Sequence, residues 1–291
     1  MTGRTVSAAA LVLASSIAAG AQTPTFRARV DLVRLDVSVR RSDRPVVGLR
    51  ADDFVLTDNG RPQRIESASL ESMPLSVLLV LDTSGSMAGP RFGNLVAGAK
   101  DVLKNLRPGD HAALLTFSSH ISQSVELTED RVRVDQALDE LTPQGGTSLR
   151  DAVYASLKVP LAPGSRGVAL VFSDGVDTLS WLTPDQIVMS VKAVDLVIYG
   201  VELTDTPRGA IVPSRGEQIL VPITEATGGR RWVTDRSARI GPLLLEALAD
   251  MRARYLLTYY PSPVTPGWHE LKVTLKSGRG DILTRPGYLV P

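Results

Sequence analysis

Two kinds of hydrophobic pattern divide the chain into three parts. Val33, Leu35, Val37 and Val39 alternate with Arg34, Asp36, Ser38 and Arg40, the period-two pattern of a strand with one face on a core and the other in water. The stretch DDFVLTDNGRPQRIESASL adds two strand candidates across Asn59-Gly60, residues that tolerate the positive φ of a tight hairpin. Residues 25 to 72 are thus expected to be all-β. From Pro74 the alternation stops. PLSVLLVLD, HAALLTF, GVALVFSD and VDLVIYGVEL are unbroken apolar runs, as expected of parallel strands buried on both faces. Between them apolar residues fall at helical spacing: Phe92, Leu95, Val96, Ala99, Val102, Leu103 and Leu106, then Val134, Ala137, Leu138 and Leu141, then Ile240, Leu243, Leu244, Ala247, Leu248 and Met251. Strands alternating with helices predict an α/β fold from about 74 to 250, a doubly wound, mostly parallel sheet with helices on both faces.

The tail returns to alternation, Leu271, Val273 and Leu275 facing one way and Lys272, Thr274 and Lys276 the other. Neither flank is long enough to bury a core by itself. Residues 22–73 and 251–291 are therefore expected to pair into one small β module beside the α/β unit.

Composition narrows the setting. The opening MTGRTVSAAALVLASSIAAGAQ carries one basic residue, a short apolar segment and the small-residue site Ala19-Gly20-Ala21. It reads as a signal peptide over 1–21, cleaved after Ala21, and its apolar part is short for a membrane span. An uncleaved anchor is the alternative. No other segment approaches about 18 uninterrupted apolar residues, so the mature chain is expected to be exported, periplasmic or secreted, without a membrane span. There is no cysteine, which removes disulfides, thiolate metal sites, a cysteine nucleophile and a lipidated cysteine. Without Arg4 the 32 basic residues fall by one to match the 31 acidic ones. No bulk charge recruits nucleic acid or anionic lipid. Oligomeric state is not fixed by any of these features.

Candidate chemistry begins in VLLVLDTSGSMAGPRF, where a carboxylate and hydroxyls end the first buried strand. Ligands of open α/β sheets sit at such strand ends, near the point where strand order switches. Asp82, Ser84 and Ser86 form a DxSxS pattern, and two further loops add Thr147 in GGTSLRDA and Asp174 in FSDG. Oxygen donors alone suit a hard cation such as Mg²⁺. Each piece also has a structural use: Ser148 and Asp151 have capping-box spacing, and Asp174-Gly175 fits an ordinary turn.

Enzyme readings fit less well. Asp82-Thr83-Ser84-Gly85 and Gly146-Thr147-Ser148 superficially match the Asp and Ser loops of a subtilisin-type hydrolase, but neither His111 nor His120 lies in the context such a triad needs. FSDGVD is a poor second loop for an aspartic protease. A phosphoaspartate hydrolase wants a second carboxylate where Ser84 stands, and no GxxxxGK[ST] or GxGxxG motif follows a strand. His111, His120 and His269 do not cluster. Trp181 and Trp232 read as packing residues, and Arg230-Arg231 as a solvated loop edge.

In the residues Asp82, Ser84, Ser86, Thr147 and Asp174 the sequence resembles the von Willebrand factor type A domain with its metal-ion-dependent adhesion site. The flanks LRADDFVLTDNGRPQRIES, ITEATGGRRW, RYLLTYYPS and RPGYLVP resemble exported bacterial proteins grouped as the VWFA-related acidobacterial domain family. The first resemblance implies that Ser84 and Ser86 ligate the ion directly, Thr147 directly or through water, and Asp82 and Asp174 mostly through water. The ion would be Mg²⁺, with Mn²⁺ or Ca²⁺ as alternatives, and a partner protein's Asp or Glu carboxylate would complete its shell. The expected function is therefore a non-enzymatic adhesion or interaction module. The alternative is an exported structural domain whose ion serves stability alone.

Overall fold

The computed structural model describes residues 32–42, 44–70, 73–174, 177–204 and 219–290. The leader expected over 1–21 lies outside them. Five strands open the chain, β1 (Val33–Arg41), β2 (Arg44–Pro45), β3 (Phe54–Asp58), β4 (Arg61–Gln63) and β5 (Ile65–Ser69). The middle runs β6 (Leu75–Asp82), α1 (Pro90–Lys104), β7 (His111–Phe117), β8 (Ile121–Thr128), α2 (Arg131–Asp139), α3 (Leu149–Ser156), β9 (Arg166–Ser173), α4 (Pro184–Lys192), β10 (Leu196–Leu203), α5 (Leu220–Thr227), β11 (Arg231–Thr234) and α6 (Ile240–Arg252). Four strands close it, β12 (Tyr255–Tyr259), β13 (Gly267–Leu275), β14 (Asp281–Leu283) and β15 (Gly287–Val290).

The unbroken apolar runs become the centre of a six-stranded sheet ordered β11-β10-β9-β6-β7-β8. All neighbours are parallel except β8, which runs antiparallel to β7. Every residue of β6 is buried, and successive residues feed opposite cores, as the strand period requires. Val77, Leu79 and Leu81 pack with Leu95, Ala99 and Val102 of α1, Val134 of α2 and Leu244 and Leu248 of α6. Leu78 and Val80 pack with Leu149 and Val153 of α3, Ile187 of α4 and Ile223 of α5. Helices thus cover both faces, as the α/β pattern predicts. The exception to that pattern, β8, has only Val125 buried, because an edge strand needs few core residues.

Helices α1 and α6 meet at two glycines. A Cβ on Gly98 would come within 2.6 Å of the Gly241 Cα, and one on Gly241 within 3.1 Å of the Gly98 Cα, so the crossing leaves no room for a side chain at Gly98 and is tight at Gly241.

The flanking strands form two further sheets, β14-β1-β12-β5 with β2 on β1, and β15-β13-β3-β4. Both draw on both ends of the chain: β1 pairs with β12, and β3 with β13. Between them lie Leu35, Val37, Val39, Phe54, Leu56, Tyr255, Leu257 and Tyr259, closed by Leu271, Val273 and Leu275 from β13. The Asn59-Gly60 turn has φ of 49° and 75°, the left-handed pair that a two-residue hairpin requires. Buried Asp58 at the end of β3 accepts hydrogen bonds from the Tyr259 and Tyr288 hydroxyls at 2.8 and 3.0 Å and faces His269 Nδ1 at 2.7 Å.

One expectation fails here. Arg34 is exposed, but Asp36, Ser38 and Arg40 do not face water: they lie against the α/β unit and make hydrogen bonds there, as buried polar side chains generally do. Ser38 Oγ and Arg40 Nη1 donate to Asp250 Oδ1 at 3.2 and 2.7 Å, and Arg166 Nε donates to Asp36 Oδ1 at 2.7 Å. Behind them Arg254 is fully buried. Its Nε donates to the Tyr199 hydroxyl at 2.8 Å and its Nη2 to the Gly228 carbonyl at 2.7 Å, while Tyr199 donates to Asp250 Oδ2 at 2.6 Å.

Candidate metal centre

Strand order reverses between β6 and β9: from β6 the chain builds outward through β7 and β8, then returns to add β9, β10 and β11 on the other side. A crevice for ligands forms at such a point, outside the carboxyl ends of the strands. Asp82 ends β6 and Ser173 ends β9 beside it.

Asp82 has no solvent exposure. Its Oδ1 accepts the Ser84 N–H at 2.8 Å and its Oδ2 accepts the Ser173 hydroxyl at 2.9 Å. Burial pushes its carboxyl up to about 6; hydrogen bonding from Ser84 and Ser173 pulls down, and the charge of Asp174 pushes up again. Ser84 Oγ lies 3.0 Å from Ser86 Oγ, and Ser86 Oγ donates to Asp174 Oδ2. Asp82, Ser84, Ser86 and Asp174 therefore form one polar cluster.

The loop that carries Thr147 docks on the loop that carries Ser84 and Ser86. Gly85 N–H donates to the Gly145 carbonyl at 2.9 Å and Gln144 N–H to the Thr83 carbonyl at 2.8 Å, which docks the two loops on each other. Gly145 has a φ of 75°, and a Cβ there would come within 2.5 Å of Ser119 Oγ, which itself accepts the Gly146 N–H at 2.9 Å. Thr147 is buried, its N–H donating to Thr178 Oγ1 at 3.0 Å and its carbonyl accepting from Thr178 and Leu179 at 2.9 and 3.0 Å.

The donor set fits a hard cation. Asp174 Oδ1 is buried and has no hydrogen-bond partner among the described residues, a costly state unless something positive meets it. No Lys or Arg pairs with Asp82 or Asp174 among those residues. No group of three His, Asp or Glu gathers among them either, so an ion here would rely on hydroxyl oxygens beside two carboxylates.

Several supporting residues escaped the sequence. Ser173 holds Asp82, but nothing in FSDG shows that β9 lies beside β6. Ser148 caps α3 without a side-chain hydrogen bond, so the capping-box spacing is not used. Asp151 instead accepts from the Trp181 and Leu182 N–H groups at 2.9 and 3.0 Å. Trp232 does pack, stacked on Tyr199 at 5.8 Å, whereas Trp181 is 93 % exposed, contrary to the packing role expected for it. Arg230 lies over the Trp232 ring and Arg231 pairs with Glu202, so that loop edge is engaged rather than simply solvated.

Comparison with known proteins bears on this arrangement. The von Willebrand factor type A domain model matches residues 77–176. Inter-alpha-trypsin inhibitor heavy chain H2 of Homo sapiens is 27% identical over 137 residues, 43% of this chain and 14% of the relative. Inter alpha-trypsin inhibitor, heavy chain 4 of Mus musculus is 30% identical over 120 residues, 40% of this chain and 12% of the relative. The chain thus spans only a small part of the length of these relatives. Among solved structures, a von Willebrand factor type A protein from Catenulispora acidiphila superposes with a TM-score of 0.53 at 13% identity, over 86% of this chain and 75% of that one. Proximal thread matrix protein 1 from the mussel byssus, in a form with a zinc-occupied MIDAS motif, gives 0.51 at 16% identity, over 65% of this chain and 48% of that one. Strand order, helices on both faces and the family match together show that this chain carries a von Willebrand factor type A domain.

Proposed function

We propose that this chain is an exported protein-interaction module, not an enzyme, which recognises an Asp or Glu side chain of a partner protein through a divalent cation, Mg²⁺ or Mn²⁺, held by Asp82, Ser84, Ser86, Thr147 and Asp174. The α/β unit carries the site, and the paired flanking strands β1 with β12 and β3 with β13 support it from outside the sheet. The observation that carries this reading is Asp174 Oδ1, a buried atom without a hydrogen-bond partner among the described residues, in one cluster with the buried Asp82 carboxylate.

The hydroxyls of Ser84 and Ser86 serve as neutral oxygen donors. Asp82 and Asp174 supply the negative charge. Ser173 and the Ser84 N–H fix both Asp82 oxygens, and the Thr178 contacts fix the Thr147 loop. The bound cation supplies a coordination position for an anionic oxygen, and neutral first donors leave its charge undercompensated, which favours a carboxylate there. The mussel protein's zinc-occupied motif on the same fold supports this assignment.

Calorimetric titration of the purified chain with Mn²⁺ and Mg²⁺ tests it. About one ion per chain is expected, lost in Asp82→Ala while the far-UV circular dichroism is kept. Absence of binding to the wild-type chain at millimolar ion would overturn the proposal. Ion binding that raises the melting temperature, with no cation-dependent capture of any acidic peptide, would leave stability as the ion's only role.

A further inference from the structure

The loop between β9 and α4 carries Leu179 at 47% and Trp181 at 93% exposure. Single exposed apolar residues are common on protein surfaces. What sets Trp181 apart is how firmly its backbone is held. Asp177 accepts from the Arg150 N–H and guanidinium, from Ser180 N–H and from Ser180 Oγ. The Asp151 N–H donates to Ser180 Oγ at 3.2 Å, and the Asp151 carboxylate takes the N–H groups of Trp181 and Leu182. A capping box at Thr183 and Gln186 then starts α4. Two carboxylates are thus spent on fixing a loop whose most prominent side chain covers nothing.

That loop also borders the candidate metal centre. Thr178 and Leu179 donate to the Thr147 carbonyl, and a Cβ on Gly146 would come within 2.6 Å of Leu179 Cδ1. Trp181 lies two residues beyond Leu179, so their Cα atoms are at most about 7 Å apart. A large aromatic ring on a preorganised backbone loses little entropy on contact, which is the character of an interface anchor.

We infer that Trp181, with Leu179, is an apolar anchor on the rim of the metal centre and receives a large apolar side chain of the same partner whose carboxylate the centre binds. This inference rests on the proposed function. The partner is a protein segment in which an Asp or Glu lies close in sequence to a Leu, Ile, Phe, Tyr or Trp, so that one segment reaches both the centre and the loop beside it. An anion-seeking centre beside a neutral apolar rim complements that pairing and not a highly charged ligand.

The test is to pan a random peptide display library on the immobilised full chain in Mn²⁺ and elute with EDTA. Recovered peptides are expected to share the acidic and large apolar pair. Their affinity should fall roughly tenfold or more in Trp181→Ala, as for an interface hot spot, and be largely rescued in Trp181→Phe. Mn²⁺ titration should be unchanged in both variants. Peptides that carry the acidic residue without an apolar companion, or that bind Trp181→Ala within twofold of wild type, overturn the anchor and leave the metal centre standing. No EDTA-eluted peptide from a chain that binds Mn²⁺ overturns the anchor and partner recognition together. Failure of Mn²⁺ binding itself overturns the proposed centre. Self-association in sedimentation that Trp181→Ala abolishes would assign the rim to a second copy of this chain and overturn the partner proposed here.

Discussion

Ser173 donates its hydroxyl hydrogen to Asp82 Oδ2 at 2.9 Å, across the seam between β9 and β6. Ninety-one positions separate the two residues. They meet because the chain leaves β6 on one side of the sheet and returns on the other. Asp82, which has no solvent exposure, is thereby held from both sides, by the Ser84 N–H and by Ser173.

Removing that donor should loosen the site while leaving the fold. Ser173→Ala is expected to weaken Mn²⁺ affinity about 10–100-fold, the usual cost of losing a group that orients a ligand. Calorimetry on wild type and variant measures it; affinities within twofold would remove Ser173 from the site.

The Gly98–Gly241 contact predicts opposite signs for two substitutions in one helix. Gly98→Ala puts a methyl within 2.6 Å of backbone and should cost about 1–3 kcal/mol through overpacking. Gly93, also in α1, has nothing within 4 Å of its would-be Cβ, so Gly93→Ala should stabilise by about 0.5–1 kcal/mol. Urea midpoints of the two variants should move in opposite directions, and a shared direction would contradict the packing described.

The buried cluster at the end of α6 should punish half-removal more than full removal. Asp250→Leu leaves Arg254 buried without its carboxylate and is expected to cost about 3–5 kcal/mol. Adding Arg254→Met should recover part of the loss. Chemical denaturation of the single and double variants checks this; a double variant less stable than the single would show that the Arg254 bonds to Tyr199 and the Gly228 carbonyl outweigh the cost of its unpaired charge.

Acid should destabilise the chain through Asp110 and Asp250. Burial pushes both carboxyls up. For Asp110, the Arg252 guanidinium and the N–H groups of Leu75 and Arg107 outweigh it; for Asp250, Arg254, Tyr199 and Arg40 do. Both end below the ordinary carboxylate value. A group lowered on folding contributes its full stability above its unfolded pKa of about 3.8 and loses it as pH falls through the lower folded value. Urea midpoints should therefore drop below about pH 4, and Asp110→Asn should flatten that slope while lowering stability near neutrality. A slope unchanged in Asp110→Asn would place the acid sensitivity elsewhere.

Much of the α/β core was legible because burial on both faces leaves one mark, the unbroken runs at Leu75, His111, Gly167 and Leu196. Asp82, Ser84 and Ser86 were legible because they share one loop directly after such a run. Ser173 and Ser119 were not, since each matters through a neighbour that only the strand order supplies. The polar positions of β1 misled for the same reason: Asp36, Ser38 and Arg40 alternate as if facing water, and a sequence pattern cannot distinguish water from Asp250 and Arg166. Trp181 misled in the opposite sense, because aromatic residues usually pack and the hydrogen bonds that fix its loop outside the core come from Asp151, thirty residues earlier.

The two outer β sheets draw on strands at opposite ends of the chain, and this orders events during synthesis. Ser38 and Asp250 are 212 residues apart, and Arg34 and Arg285 are 251 apart. Strands β6, β7, β9 and β10 find their neighbours within the stretch between, but β1 and β3 must wait for β12 and β13 to be made, since distant pairing follows local pairing. During that interval β1 is an open edge, the kind that recruits foreign strands. The charges of Arg34, Asp36, Arg40 and Arg41 then have an earlier use than the final ion pairs of Asp36 and Arg40: they discourage the waiting strand from pairing with another unfolded chain until its own distant partner arrives.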